Sequence, residues 1–256
     1  MASLQMNSGY VPALGEQGKP ASKVPDRIVD RLLQRIFSGD LKPGDRLPPL
    51  RDLSVQMDVD RTSLRIALER LNQMKLVSMV QGSCVVIKDY REEAGLSFLR
   101  AVFSIDAPQD ESAKSRILLQ LMEFMTLLAP GMVGIASQRA TPLQIEEMLK
   151  VYRSQLQHLD DPDTLAELRT LTEDILADIT GNLVLKMIYN STRPLRKELN
   201  RRIVDTLDVR ENLEKHLEWI RQFLAGGIRR EDVETMYRRF QNESVAAARQ
   251  TLLDSI

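Results

Sequence analysis

Three short apolar-periodic segments followed by two β-prone runs, then seven long segments with a 3.6-residue apolar period, predict a mostly α chain. The N-terminal part is expected to be a three-helix unit closed by a hairpin, and the remainder an all-α bundle.

Residues 1–23 are rich in Gly, Ser, Pro and Gln without apolar periodicity and read as a mobile tail. A first helix is expected to open near Pro25, placing Ile28, Leu32, Leu33, Ile36 and Phe37 on one stripe. The segment SGDLKPGDRLPP stops it with glycines and prolines. A short second helix covers about 50–57, and a third opens at the natural N-cap Asp60 and runs to about Gln73 with Leu64, Leu68 and Leu71 on one face. The runs 75–80 and 84–90, separated by Gln81-Gly82-Ser83, read as a hairpin, so residues 24–90 have the element order of a winged helix-turn-helix. Residues 91–256 then predict helices near 92–104, 112–138, 142–159, 163–180, 183–200, 210–225 and 231–253. Pro130-Gly131 is expected to kink or break the second of these.

With 256 residues and 43% hydrophobic content the chain can bury a real core, so fibres, disordered chains and disulfide scaffolds are excluded. A single cysteine, Cys84, cannot form an internal bridge, and His158 and His216 alone leave little for a zinc cluster; a reducing cytoplasm fits best. No basic region followed by an apolar core marks a secretory signal. The longest apolar stretch, 117–135, is interrupted by Gln120, Glu123, Thr126 and Pro130, which a buried helix tolerates better than a bilayer would, so no membrane partner is expected.

The net charge of -1 hides an asymmetry. Residues 23–91 hold 13 Lys and Arg against 9 Asp and Glu, giving +4, whereas residues 92–256 hold 21 against 26, giving -5. In a helix-turn-helix the first turns of the second helix enter the major groove, and here that segment reads Asp60-Arg61-Thr62-Ser63-Leu64-Arg65. Arginine makes bidentate contacts to guanine or clamps phosphate, and small hydroxyls reach phosphate oxygens at close range. Arg51 stands where the preceding helix would cross the backbone, and Gln81-Gly82 at the hairpin tip would reach the adjacent minor groove. The competing reading gives these arginines to solvated ion pairs with Asp52, Asp58 and Glu69.

Residues 25–88 resemble the N-terminal domain of GntR-type bacterial transcription regulators, through LKPGDRLPPLRDLS at 41–54, DRTSLRIALERL at 60–71 and LVSMVQG at 76–82. The resemblance implies double-stranded operator DNA as partner, with Arg51, Arg61, Thr62, Ser63, Arg65 and Gly82 touching it, and Asp60 in the first turn of the recognition helix and Gln81 at the hairpin tip complete the expected set. Because a single winged helix reads few base pairs and a two-fold protein matches a two-fold site, a homodimer on a palindrome is expected, acting as a repressor or other regulator.

For residues 91–256 composition leaves open a dimerisation bundle, a ligand-binding domain or a small helical enzyme. Glu173 and His216 could form an acid–base pair, but no nucleophile elbow or phosphate-cradling loop accompanies them, so no enzymatic activity is expected. LADITGNLVLKMIYNS at 176–191, EKHLEWIRQFLAGG at 214–227 and VETMYRRFQNES at 233–244 resemble the effector-binding and dimerisation bundle of the FadR-like branch. Many members of that branch hold a carboxylate effector through a divalent metal bound by one Asp and three His. The corresponding positions here are Arg169, Glu173, His216 and Asn242, of which one histidine survives, so no metal and no other cofactor is expected. The metal-free pattern resembles the fatty-acid-responsive subgroup, whose effector is a long-chain acyl-coenzyme A. Met122, Met125, Leu127, Leu128 and Met132 would suit an acyl tunnel, with Arg193, Arg196 and Arg201 available to phosphates. Ordinary bundle core, a metal-dependent carboxylate sensor and an architectural dimer without effector remain the other readings.

Overall fold

The computed structural model describes residues 24–80, 84–104, 111–205, 208–229 and 231–254. The expected tail at 1–23 and the wing-tip residues Gln81 and Gly82 lie outside them. Helix α1 (Val24–Phe37) forms on the stripe of Ile28, Val29, Leu32, Leu33 and Ile36, all buried. Helices α2 (Leu50–Met57) and α3 (Arg61–Gln73) are joined by a turn in which Asp58 adopts φ 54° and ψ 53°. Its N–H donates to the Ser54 and Val55 carbonyls, satisfying the end of α2, and aspartate tolerates this left-handed conformation better than most residues. The Asp60 carboxylate then accepts the Ser63 N–H at 2.8 Å and starts α3. Leu64, Leu68 and Leu71 seat α3 against α1 with no more than 2% exposure.

The hairpin consists of β2 (Val77–Val80) and β3 (Cys84–Ile87), antiparallel with Val77 opposite Ile87 and Val80 opposite Cys84. The segment read only as a helix stop supplies a further strand, β1 (Arg46–Leu47), which pairs with the other side of β3. Two residues are too few for an alternation signal, and what fixes them is distant: the Gly44 N–H donates to the Ile87 carbonyl and the Ile87 N–H to the Asp45 carbonyl. The second hairpin run stops at Ile87 rather than 90, because the Asp89 carboxylate accepts the Arg91 N–H and opens a short helix, α4 (Tyr90–Glu93). The helix expected over 92–104 is therefore divided, its second piece being α5 (Leu96–Ser104). Phe98 and Val102 on α5 enter the core of the winged unit, beside Phe37 and Tyr90. Leu99 and Phe103 pack against a second cluster that includes Leu195 and Leu199.

The bundle comprises α6 (Glu111–Arg139), α7 (Pro142–Gln157), α8 (Pro162–Ile179), α9 (Leu183–Val204), α10 (Val209–Leu224) and α11 (Val233–Asp254). Thr141 with Gln144 forms a capping box, and Asp161, Asn182 and Asp208 cap α8, α9 and α10. Pro130-Gly131 does not break α6, which is continuous from 111 to 139. A proline deletes one backbone donor, and packing against α8, α9 and α11 outweighs that loss. Lys114–Arg139 is long and apolar enough to cross a membrane by length and composition, yet it packs on three helices and contributes Leu118, Met122 and Met132 to buried clusters.

Candidate functional site

One candidate site is the outer face of α3. Arg61, Thr62 and Arg65 are exposed, Ser63 is half-buried and Leu64 is turned into the core, so the helix presents its basic edge while the apolar edge anchors it. Arg51 is exposed at the start of α2. Among the described residues Arg51, Arg61 and Arg65 form no ion pair, so Asp52, Asp58 and Glu69 do not neutralise them. Arg70, on the same helix, differs: it pairs with Asp26 of α1 and serves the core junction. Asp60, expected among the DNA-contacting residues, is occupied in capping, and the bonds from Ser63 hold its carboxyl below the usual range. Its part is to fix the first turn from which Arg61 and Arg65 project.

The other candidate site is a cavity of about 240 Å³ inside the bundle. Met122, Met125, Ala129, Val133 and Leu176 give it apolar walls, while Arg169, Glu173, Asn200, His216 and Gln241 give it a polar side. Met122, Met125, Arg169, Glu173 and His216 are thus brought together. Asn242 is not: it is exposed and outside the lining, and Gln241, one helical position away, faces the cavity instead. The one-residue error rotates the side chain by about 100° around α11, and only the register of Tyr237, Phe240 and Gln241 on one face could have flagged it. Leu127, placed in the expected tunnel, is 73% exposed on the far face of α6.

His216 sits between the rings of Tyr152, at 5.5 Å, and Phe240, at 4.3 Å edge-on. Its Nδ1–H donates to the Asn212 carbonyl at 2.9 Å, which leaves Nε2 as the unprotonated nitrogen. Burial, with the nearby Arg169 charge, pushes the imidazole down to about 4 and keeps it neutral. The same burial raises Glu173 above the ordinary carboxylate range, against the attraction of Arg196. The Trp219 indole nitrogen and the Gln241 side-chain oxygen, both of lining residues, are buried without a hydrogen-bond partner.

The three arginines offered to phosphates are already committed. Arg196, 1% exposed, bonds Glu173 at 2.6 Å, Asp174, and the Tyr189 carbonyl at 2.9 Å. Arg193 bonds Glu167 at 2.6 Å and Asp174 at 2.9 Å; Arg201 bonds Asp163 at 2.8 Å and Asp205 at 2.7 Å. Their aspartate and glutamate partners lie 4–38 residues away, a separation that charge spacing on one helix does not reveal for the distant ones. A metal does not fit the cavity either. Arg169 places a cation where a ligand would be needed, Glu173 is tied to Arg196, and the described residues hold no cluster of three or more His, Cys, Asp or Glu able to bind an ion.

Comparison with known proteins matches residues 25–87 to the family described as bacterial regulatory proteins, gntR family, and residues 120–240 to the FCD domain. The chain is 28% identical over 171 residues to the HTH-type transcriptional regulator Mce2R of Mycobacterium tuberculosis, covering 66% of this chain and 69% of that one. It is 24% identical over 180 residues to the fatty acid metabolism regulator protein of Proteus mirabilis, covering 70% and 72%. Its fold is similar to that of Lar, which controls expression of the Listeria monocytogenes agr system, with a TM-score of 0.57 at 17% identity over 90% of this chain and 98% of that one. With its DNA-binding domain ahead of an FCD domain, the chain is a transcription regulator rather than an enzyme, and it belongs to the GntR family of bacterial regulatory proteins.

Proposed function

We propose that this ligand-responsive regulator acts in the cytoplasm as a homodimer on palindromic operator DNA, residues 24–90 binding DNA and residues 91–256 binding effector and partner subunit. The observation that carries the DNA reading is the unneutralised basic edge of α3, where Arg61 and Arg65 project beside Thr62 while Leu64 locks the helix in place. One winged unit spans few base pairs, and a two-fold protein matches a two-fold site. Arg51 and the α3 N-terminus supply phosphate contacts in this reading, and the tip at Gln81 and Gly82 enters the minor groove. The effector is acyl in character, a fatty acid or its coenzyme A thioester; the methionine-walled cavity and the similarity to a fatty acid metabolism regulator support it.

Operator titrations test the DNA reading. Arg61→Ala or Arg65→Ala should cost about 1–3 kcal/mol in specific binding where the side chain reads a base, whereas a phosphate contact weakens all sequences alike and lowers the salt slope by about 1. Unchanged binding in both variants removes α3 from the interface. Binding of one protomer per palindrome, measured by sedimentation, removes the dimer.

A further inference from the structure

We infer that the bundle cavity holds, without any metal, a small apolar monocarboxylate whose carboxylate pairs with Arg169. The inference rests on the acyl reading above and selects the free acid over the thioester.

Glu167, Glu173 and Asp174 on α8 are matched by Arg193, Arg196 and Lys197 on α9, three anions against three cations in one ion-pair network. Arg169 stands outside that balance. Its one hydrogen bond is a long one, from Nε to Asn200 Oδ1 at 3.4 Å, and it has no ion pair among the described residues. Its charge acts on Tyr152, Glu173, His216 and Tyr237, which places it among the polar lining groups. A partly buried guanidinium with unused donors and apolar walls beside it calls for an anion with an apolar body, and a carboxylate fits its fork. Trp219, also in the lining, supplies a second unused donor. The Gln241 amide can turn either its oxygen or its nitrogen toward a ligand.

The remaining cations decide against a nucleotide-bearing ligand. Arg193, Arg196 and Arg201 have all been drawn into ion pairs and leave no free cluster for phosphates. Arg169 therefore supplies the positive charge that a metal would otherwise bring to a carboxylate.

Trp219 is the single tryptophan and lines the cavity, so its emission reports occupancy in the full-length protein. Octanoate should titrate that emission at least tenfold more tightly than 1-octanol, with no change in EDTA. Arg169→Gln should weaken octanoate at least tenfold while leaving the melting temperature and octanol binding in place, and Arg169→Lys should restore part of the loss. Equal binding of octanol and octanoate by the wild-type protein overturns the carboxylate assignment, and loss of octanoate binding in EDTA overturns the metal-free one. Tighter binding of octanoyl-coenzyme A than of octanoate overturns the inference and leaves the acyl reading standing. A flat response to all three overturns both.

Discussion

Replacing Arg196 by methionine keeps much of the side-chain volume and removes the charge at the centre of the α8–α9 junction. The wild-type guanidinium is 1% exposed, lies 4.6 Å from the Tyr189 ring centroid, and binds Glu173 and Asp174, which are themselves 25% and 22% exposed. Without it both carboxylates keep their partly buried positions, and Glu173 loses its ion-pair partner. Breaking a buried pair from one side costs about 3–5 kcal/mol. At about 2–4 °C per kcal/mol for a chain of this size, the melting temperature at pH 8 should fall by about 6–20 °C, read by circular dichroism at 222 nm. The pH dependence gives a second, independent readout. Glu173 is already raised by burial, and losing Arg196 raises it further. Between the unfolded and the raised folded pKa the native state binds more protons, so stability falls as pH rises through that window and returns as pH falls. The deficit of Arg196→Met should therefore shrink from pH 8 toward about pH 5, and adding Glu173→Gln should recover part of it at pH 8. A variant melting within about 2 °C of wild type at pH 8, or a deficit that grows on acidification, would refute the reasoning.

His216, held at about 4 by burial, has the opposite sign: the unfolded chain takes up a proton first, so stability present above about pH 6.5 is lost toward pH 4, by up to about 3 kcal/mol. His216→Phe should flatten that part of the melting curve's pH profile, and an unchanged profile would show that the ring is not the titrating group. Leu64→Ala, at a side chain with 0% exposure, should cost about 2–5 kcal/mol and weaken operator binding by loosening α3 under its arginines; a loss below about 1 kcal/mol would mean the site collapses around the cavity. Because Phe98 and Val102 complete the winged unit's core, a fragment of residues 24–104 should melt well above one of residues 24–90, and equal stability would show that α5 belongs to the bundle alone.

The winged unit was readable where the signal is local. Asp60 as a cap, the leucine face of α3 and the β-prone runs on either side of the turn each depend on residues a few positions apart, and they emerge at the expected places. The bundle helices were legible for the same reason, through capping residues such as Thr141, Asp161 and Asn182. What was not legible needs a partner far along the chain. β1 exists because β3 lies beside it forty residues later, and α5 joins the winged core although its sequence reads as part of the bundle.

The candidate cavity shows the same division. The apolar run of α6 put Met122 and Met125 in contention and the family resemblance put Arg169, Glu173 and His216 there, and the structure gathers all five around one space. It replaces Asn242 by Gln241 because a helix presents one face only, and no count of residues decides which face until the neighbouring helices are in place.

The sequence by itself determined most of the helices, the hairpin, their order and the exposed arginines of α3, because helix periods, caps and turns are set by interactions within a few residues. Only the tertiary structure decided which arginine is buried. Arg193, Arg196 and Arg201 look alike in the sequence, and it is the approach of α8, with Asp163, Glu167, Glu173 and Asp174 along its length, that binds all three and leaves Arg169 as the cation outside the network. Charges pair through space, and the spacing that matters is between helices.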